Sequence, residues 1–178
     1  DGTDMCIFAL KEIISYFKRR GSPVFACFLD ASKAFDRVNH YTLFKKLIDR
    51  NVPVYLVRII VHWFSMLTFR VRRGSAVSDN FSCSNSVPQG SILSPILFNV
   101  YVSDLSVKLN AANAGCFMGK VAVNHLFYAD DLCLICPSAK AVQKLINVCE
   151  AYAMVLTMIL SSAPIKQTVC TFYVTEVS

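Results

Sequence analysis

Apolar side chains recur at Ile7, Leu10, Ile13, Ile14 and Phe17, a three-and-four spacing that predicts an amphipathic helix over Met5–Arg20. Asp4 is a candidate cap for its start, Lys18, Arg19 and Arg20 suit the negative end of its dipole, and Gly21 stops it. The pattern then changes. After Pro23 the residues Val24 to Leu29 are apolar without a break, which reads as a short buried strand delivering Asp30 at its end. Helical spacing returns over Asn39–Arg50, is interrupted at Asn51-Val52-Pro53, and resumes over Val54–Leu67. Phe69–Arg73 and Phe81–Val87, on either side of Gly74, read as a hairpin. A long helix is predicted from Ser91 to about Leu109, with Pro95 in a first turn that tolerates proline. Gly115 and Gly119 bracket short strands, and Val121–Tyr128 pairs naturally with Leu132–Cys136 across Ala129-Asp130-Asp131. A helix over Ser138–Ala153 follows, and the tail from residue 154 has no clear period. With no repeat, low-complexity tract or linker, residues 1–178 read as one α+β domain. Its antiparallel sheet presents the acids, and its helices pack on one face.

Composition sharpens this. Apolar residues make up 54% of the 178 and charged residues 17%, which excludes a disordered chain. A mean hydropathy of +0.46 raises the question of a membrane span. The longest uncharged stretch, Asn80–Ser103, is broken by Ser, Asn, Gln, Gly and Pro, and Ala151–Ile165 falls short of the roughly 20 residues a span needs. No membrane partner is expected. The high hydropathy instead suggests a core that neighbouring segments cover, and Asp1 at the start, without a signal peptide, suggests a chain beginning inside something longer. Eighteen basic against 12 acidic residues give +6, compatible with a polyanionic partner. The 8 cysteines read as reduced, buried thiols. Cys133 and Cys136 lie three apart on a predicted strand, so they point to opposite faces and cannot share a zinc ion.

Three segments carry candidate chemistry. In Tyr128-Ala129-Asp130-Asp131 two adjacent carboxylates sit at the turn between two apolar strands. Crowded negative charge of this kind is costly unless a cation neutralises it, although Asp is also an ordinary turn residue. Asp30 ends a buried strand, and neighbouring antiparallel strand ends can bring it beside Asp130 and Asp131. That gathers hard oxygen ligands suited to Mg²⁺, and two such ions a few ångströms apart can activate a primer hydroxyl and stabilise leaving pyrophosphate. Asp36 reads equally well as a helix cap. In Val87-Pro88-Gln89-Gly90-Ser91 a tight loop precedes a helix; small residues there let a base or nucleotide approach the backbone, or the loop is simply a capped helix start. Arg70, Arg72 and Arg73 are a solvated strand face or a nucleic-acid backbone contact, while His40, His62 and His125 read as packing or surface residues.

In this order the three segments resemble reverse transcriptases, specifically those of non-LTR (LINE-type) retrotransposons. Phe28 to His40 (FLDASKAFDRVNH) looks like the family's first palm motif, Val87 to Asp104 (VPQGSILSPILFNVYVSD) like the second, and Phe127 to Leu132 (FYADDL) like the third. Leu43, Leu47, Trp63 and Arg72-Arg73-Gly74 also fit the family's spacing, so the resemblance covers nearly the whole chain. It implies a polymerase palm in which Asp30, Asp130 and Asp131 bind two Mg²⁺ ions, for which Mn²⁺ can substitute, with the carbonyl of Ala31 as an extra ligand. It implies that Phe35 screens out a ribose 2′-hydroxyl, and that Gln89 and Gly90 line the nucleotide pocket. Pro88, Tyr128 and Ala129 would lie against template or primer. The partners implied are an RNA template, a DNA primer and deoxynucleoside triphosphates, together with fingers, thumb and endonuclease regions of the same polyprotein. The setting implied is intracellular, in nucleus and cytoplasm as a ribonucleoprotein, and not secreted.

Two departures stand out. The family has an upstream fingers region whose basic residues hold the triphosphate, and this chain is expected to begin after it. In the tail the family has Asn followed three residues later by Lys; counting back from Lys166 finds Ala163 at the Asn position, and counting forward from Cys149 finds Ser161 there and Pro164 at the Lys position. Lys166 is thereby the implied proton donor to pyrophosphate in one alignment only. Ser86-Val87 also stands where Gly-Val is usual. Two other readings remain open: the palm of an RNA-dependent RNA polymerase, which Phe35 opposes, and a catalytically dead retrotransposon remnant that keeps its fold or nucleic-acid binding.

Overall fold

The computed structural model describes residues 2–30, 35–83, 85–88, 90–119, 121–128 and 131–158. In chain order the elements are α1 (Gly2–Lys18), β1 (Phe25–Asp30), a 3-10 turn (Phe35–Arg37), α2 (His40–Asp49) and α3 (Val54–Ser65). There follow β2 (Arg72–Arg73), β3 (Ala76–Val77), α4 (Ser94–Ala111), β4 (Cys116–Met118), β5 (Val121–Val123), β6 (His125–Tyr128), β7 (Asp131–Cys136) and α5 (Ala139–Met158). The described residues of 1–32 and 102–178 pack as one compact unit and those of 33–101 as another. No helix of the described residues is long and apolar enough to cross a membrane.

The first unit is built round β7, the middle strand of an antiparallel sheet ordered β1-β7-β6. Its run Leu132-Cys133-Leu134-Ile135-Cys136 is apolar at every position, so both faces of the strand must leave water. Leu132, Leu134 and Cys136, with Cys27 of β1, pack against Leu105 and Leu109 of α4 and Val142, Leu145, Ile146 and Tyr152 of α5. Cys133 and Ile135, with Ala26, pack against Ile13 and Phe17 of α1 and Cys116 of β4. The expected α+β class is what the fold shows. Helices are expected on one face; the second face is covered as well, because an unbroken apolar strand demands it where an alternating one would not. Cys133 and Cys136 fall in opposite cores, as their spacing requires, and burial pushes each thiol up to about 12. These are inert, protonated thiols.

Helix α1 begins at Gly2, which puts Asp4 in its first turn and not at its cap. The single strand expected over Val121–Tyr128 is divided at Asn124, so that β5 pairs with β4 while β6 pairs with β7. Asn124 is 5% exposed; its Nδ2 donates to the Leu109 carbonyl at 2.8 Å, and its own carbonyl accepts from the Ile135 amide at 2.9 Å. Gly115 lies against it at φ +150, where a Cβ would come within 2.5 Å of Asn124 Cβ, so no larger residue fits.

His125 continues this network. Its Nδ1 lies 2.6 Å from Asn124 Oδ1 and its Nε2 2.8 Å from Ser106 Oγ. The Asn124 oxygen can only accept, so the proton sits on Nδ1 and the serine hydroxyl donates to Nε2. Burial lowers the His125 pKa below its ordinary value, which favours this neutral form. The unfolded chain therefore binds the proton more readily. Stability from this group is complete above about pH 6.5 and is lost as pH falls through the folded-state pKa. Melting temperatures of the wild type are expected to fall between about pH 7 and about pH 5 more steeply than those of His125→Gln. Parallel curves for the two proteins would exclude His125 as the group responsible.

In the second unit, Asn39 caps α2 by accepting from the Thr42 amide at 2.9 Å, and α2 buries Leu43 and Leu47. Helix α3 buries Val57 and Phe64, and Phe64 meets Phe44 edge-on at 5.7 Å. The hairpin after it is shorter than expected: β2 and β3 pair across Gly74-Ser75, and beyond them Phe69 and Phe81 form an isolated bridge. Leu97, Phe98 and Tyr101 of α4 are buried.

Candidate active site

The acids occupy one end of the β1-β7-β6 sheet. Asp30 of β1 is the register partner of Asp131 of β7, and on the other side Asp131 is the partner of Tyr128 of β6. Opposed positions of an antiparallel pair share a face, with Cβ atoms about 4.5–5.5 Å apart. Alternation puts Ala26, Phe28, Leu126 and Cys133 on this same face. Ile13 and Phe17 of α1 cover its middle, but the cover ends toward the acids: Phe28 is 41% exposed, Tyr128 42% exposed, and Asp131 is exposed. Two carboxylate-bearing positions thus stand opposed at an open strand end, where like charges repel and a cation between them relieves the repulsion.

Asp130, Ala129 and Ala31 lie outside the described residues, as do Gln89 and Lys166. Among the described residues no group of three or more metal-ligating side chains forms. Carboxylates at opposed positions 30 and 131 are the donor type that suits a hard divalent cation such as Mg²⁺, which takes carboxylate oxygens and keeps water. Cys133 on that face is a buried thiol pushed up to about 12 by burial and is no competing soft ligand.

The second unit holds the other candidates. Phe35 is half-buried in the 3-10 turn, its ring 4.7 Å from that of Phe98 and tilted by 30°. Its carbonyl accepts from the Val87 amide at 2.8 Å, and Val87 is 1% exposed. The 3-10 turn at Phe35 and the Val87-Pro88 loop are therefore tied together by a main-chain bond, with Asn39 and Asn85 forming a further bridge. His40 adds a clamp. Its Nε2 lies 2.7 Å from the Ser86 carbonyl and 3.2 Å from the Ser86 amide, and the shorter contact assigns the Nε2 proton to the carbonyl. The His40 ring also packs edge-on against Phe64 at 4.7 Å. The Pro88 carbonyl accepts from the Ser94 hydroxyl and from the Ser91 amide, which folds the loop back onto the start of α4. Gly90 has φ +87 with nothing within 4 Å of the place a Cβ would take. Backbone geometry requires glycine here, and the loop surface beside it is open.

Asn39 as a cap was open to discovery, since an Asn directly before a helical run is a strong start signal. His40 was not, because its partner lies 46 residues away. Asp36, a candidate cap, is instead an exposed residue of the 3-10 turn.

Comparison with known proteins bears on this geometry. The family described as reverse transcriptase (RNA-dependent DNA polymerase) matches residues 4–172. The Pol polyprotein from the type-1 retrotransposable element R2 of Popillia japonica is 28% identical over 139 residues, 75% of this chain and 22% of that protein. The RNA-directed DNA polymerase from the mobile element jockey of Drosophila funebris is 32% identical over 118 residues, 66% of this chain and 12% of that protein. A probable RNA-directed DNA polymerase from the X-element of Drosophila melanogaster is 37% identical over 78 residues, 44% of this chain and 8% of that protein. The chain thus spans less than a quarter of the length of each of these relatives. With the family match running over nearly all of its residues, and with similarity to retrotransposon polyproteins over most of its length, the chain belongs to the reverse transcriptase (RNA-dependent DNA polymerase) family.

Proposed function

We propose that this chain is the catalytic palm of an RNA-directed DNA polymerase, which adds deoxynucleotides to a DNA primer along an RNA template. The observation that carries the reading is the register pairing of Asp30 with Asp131 at the open end of the sheet. In this reading Asp30, Asp130 and Asp131 hold divalent metal, with the Ala31 carbonyl as a further ligand. Two Mg²⁺ ions, or Mn²⁺ in their place, would supply activation of the primer 3′-hydroxyl and charge stabilisation at the leaving pyrophosphate.

The remaining residues bind and select. Phe35, braced by Phe98 and by the bond from Val87, has little freedom to swing aside, so its ring excludes a ribose 2′-hydroxyl by volume. Gln89 and Gly90 line the nucleotide pocket. Tyr128, exposed beside Asp131, packs against the primer end, with Pro88 and Ala129 at template and primer. The chain would work with flanking regions of one longer polypeptide, as the name polyprotein of its relatives suggests, and in this reading it acts inside the cell in a ribonucleoprotein.

Phe35 separates this reading from an RNA-dependent RNA polymerase, whose site must admit the 2′-hydroxyl. Phe35→Val is expected to lower the preference for deoxynucleotides over ribonucleotides by about 10–200-fold, the worth of about 1–3 kcal/mol of steric discrimination. Single-nucleotide incorporation of dATP against ATP measures it. A wild type that uses ATP as readily as dATP would favour the ribonucleotide polymerase.

A further inference from the structure

We infer that the hairpin spanning residues 69–81 is a contact for the phosphodiester backbone of nucleic acid, made by Arg70, Arg72 and Arg73. The polymerase reading identifies the bound strand as template or primer; the contact itself rests on the hairpin alone.

Three arginines fall within four positions, and Asp79 is the sole acid between Phe69 and Phe81. No ion pair joins it to any of them among the described residues. The arginine bonds are instead made to neutral oxygens. Arg70 Nε donates to Asn80 Oδ1, and Arg72 Nε donates to the Gly74 carbonyl at 3.2 Å. Each bond restrains a guanidinium without cancelling its charge and uses only its Nε–H, so the terminal amino groups retain their capacity to donate to another acceptor. An arginine that merely solvates a strand face has no need of such bracing.

The support beneath them is rigid. Gly74 at φ +62 followed by Ser75 makes a two-residue hairpin connection of the kind that puts glycine first. Past the two short strands, Val71 and Ser78 exchange bonds at 2.9 Å through main chain and the serine hydroxyl, and Phe69 and Phe81 close the base. Every residue from 70 to 80 is exposed, so the hairpin is a braced ribbon surrounded by solvent. Extended backbone sets alternate positions such as 70 and 72 about 6.6–6.8 Å apart. Successive phosphates of one strand are a similar distance apart through space, since their about 3.4 Å spacing is the rise along the duplex axis alone. Arg73, the next position of the strand, falls on the opposite face of a ribbon only two strands wide, where its exposed charge adds to the same positive edge.

The test uses the whole chain and a fluorescein-labelled RNA–DNA hybrid, with anisotropy measured in EDTA at several KCl concentrations from about 50 to about 200 mM. Replacing all three residues, R70Q/R72Q/R73Q, is expected to weaken binding more than tenfold at the low-salt end. The slope of log K against log salt should become shallower by about 2 to 3, near 0.9 for each phosphate that is no longer neutralised. The lysine variant R70K/R72K/R73K is expected to keep most of the slope, and circular dichroism melts should stay unchanged because the hairpin lies outside the core. Equal affinity and slope in the glutamine variant would overturn the inference. So would wild-type binding to polyglutamate as tight as to the hybrid. Because EDTA leaves the acids without metal, failure here leaves the polymerase reading standing, and failure of metal binding at the acids leaves the hairpin contact standing.

Discussion

Asp131→Asn is expected to reduce Mn²⁺ affinity by more than about 100-fold and to cut primer extension by at least about 10³-fold. The reason is positional. Asp131 is the register partner of Asp30 on one side and of Tyr128 on the other, at the end of the sheet where α1 no longer covers the face. A neutral amide there keeps the size and shape of the side chain and removes the negative charge that attracts the cation. The same change has an opposite effect on the metal-free fold. Like charges at directly opposed strand positions destabilise the pair, so the variant is expected to be more stable in EDTA by about 0.2–1 kcal/mol. Calorimetric Mn²⁺ titration and urea denaturation read the two effects separately. Unchanged Mn²⁺ affinity would remove Asp131 from the site; lower stability in EDTA would mean that the carboxylate has a structural role instead.

Leu134→Ala is expected to cost about 2–5 kcal/mol of stability. Leu134 is fully buried at the centre of β7, among Cys27, Leu105, Leu109 and Leu145, so truncation leaves a cavity lined by both helices and strand. The strand that loses this packing is the one that carries Asp131, and metal affinity should fall with it. Ile92→Ala supplies the contrast: that side chain is 91% exposed, and its loss should change stability by no more than about 0.5 kcal/mol. Urea melts of the two variants test the pair. Equal effects would mean that β7 does not form the core of its unit.

Much of this arrangement was legible in the chain because the informative residues are local. The apolar run before Asp30 and the run after Asp131 each announce a buried strand, and an acid at the end of each leaves few places for the two to go. Their meeting followed from antiparallel pairing, and the register Asp30↔Asp131 is how it occurs. What escaped was set by distant partners. The break at Asn124 depends on Leu109 and Ile135, which no window around residue 124 contains. The cover on the second sheet face depends on α1, more than a hundred residues before β7 in sequence. His40 had the look of a packing residue and is one, but its bond to Ser86 also fastens the loop that precedes Pro88. The three arginines of the hairpin were visible as charges, whereas the neutral acceptors that brace two of them became visible only with the turn in place.

The most direct measurement is extension of a DNA primer on an RNA template by the wild-type chain, with Mg²⁺ and with EDTA, and with Asp131→Asn alongside. The expected result is deoxynucleotide addition that follows the template sequence, requires the divalent ion, and disappears in the variant. No Mg²⁺-dependent addition by the wild type, or equal addition by Asp131→Asn, would contradict the assignment of these acids to a polymerase centre.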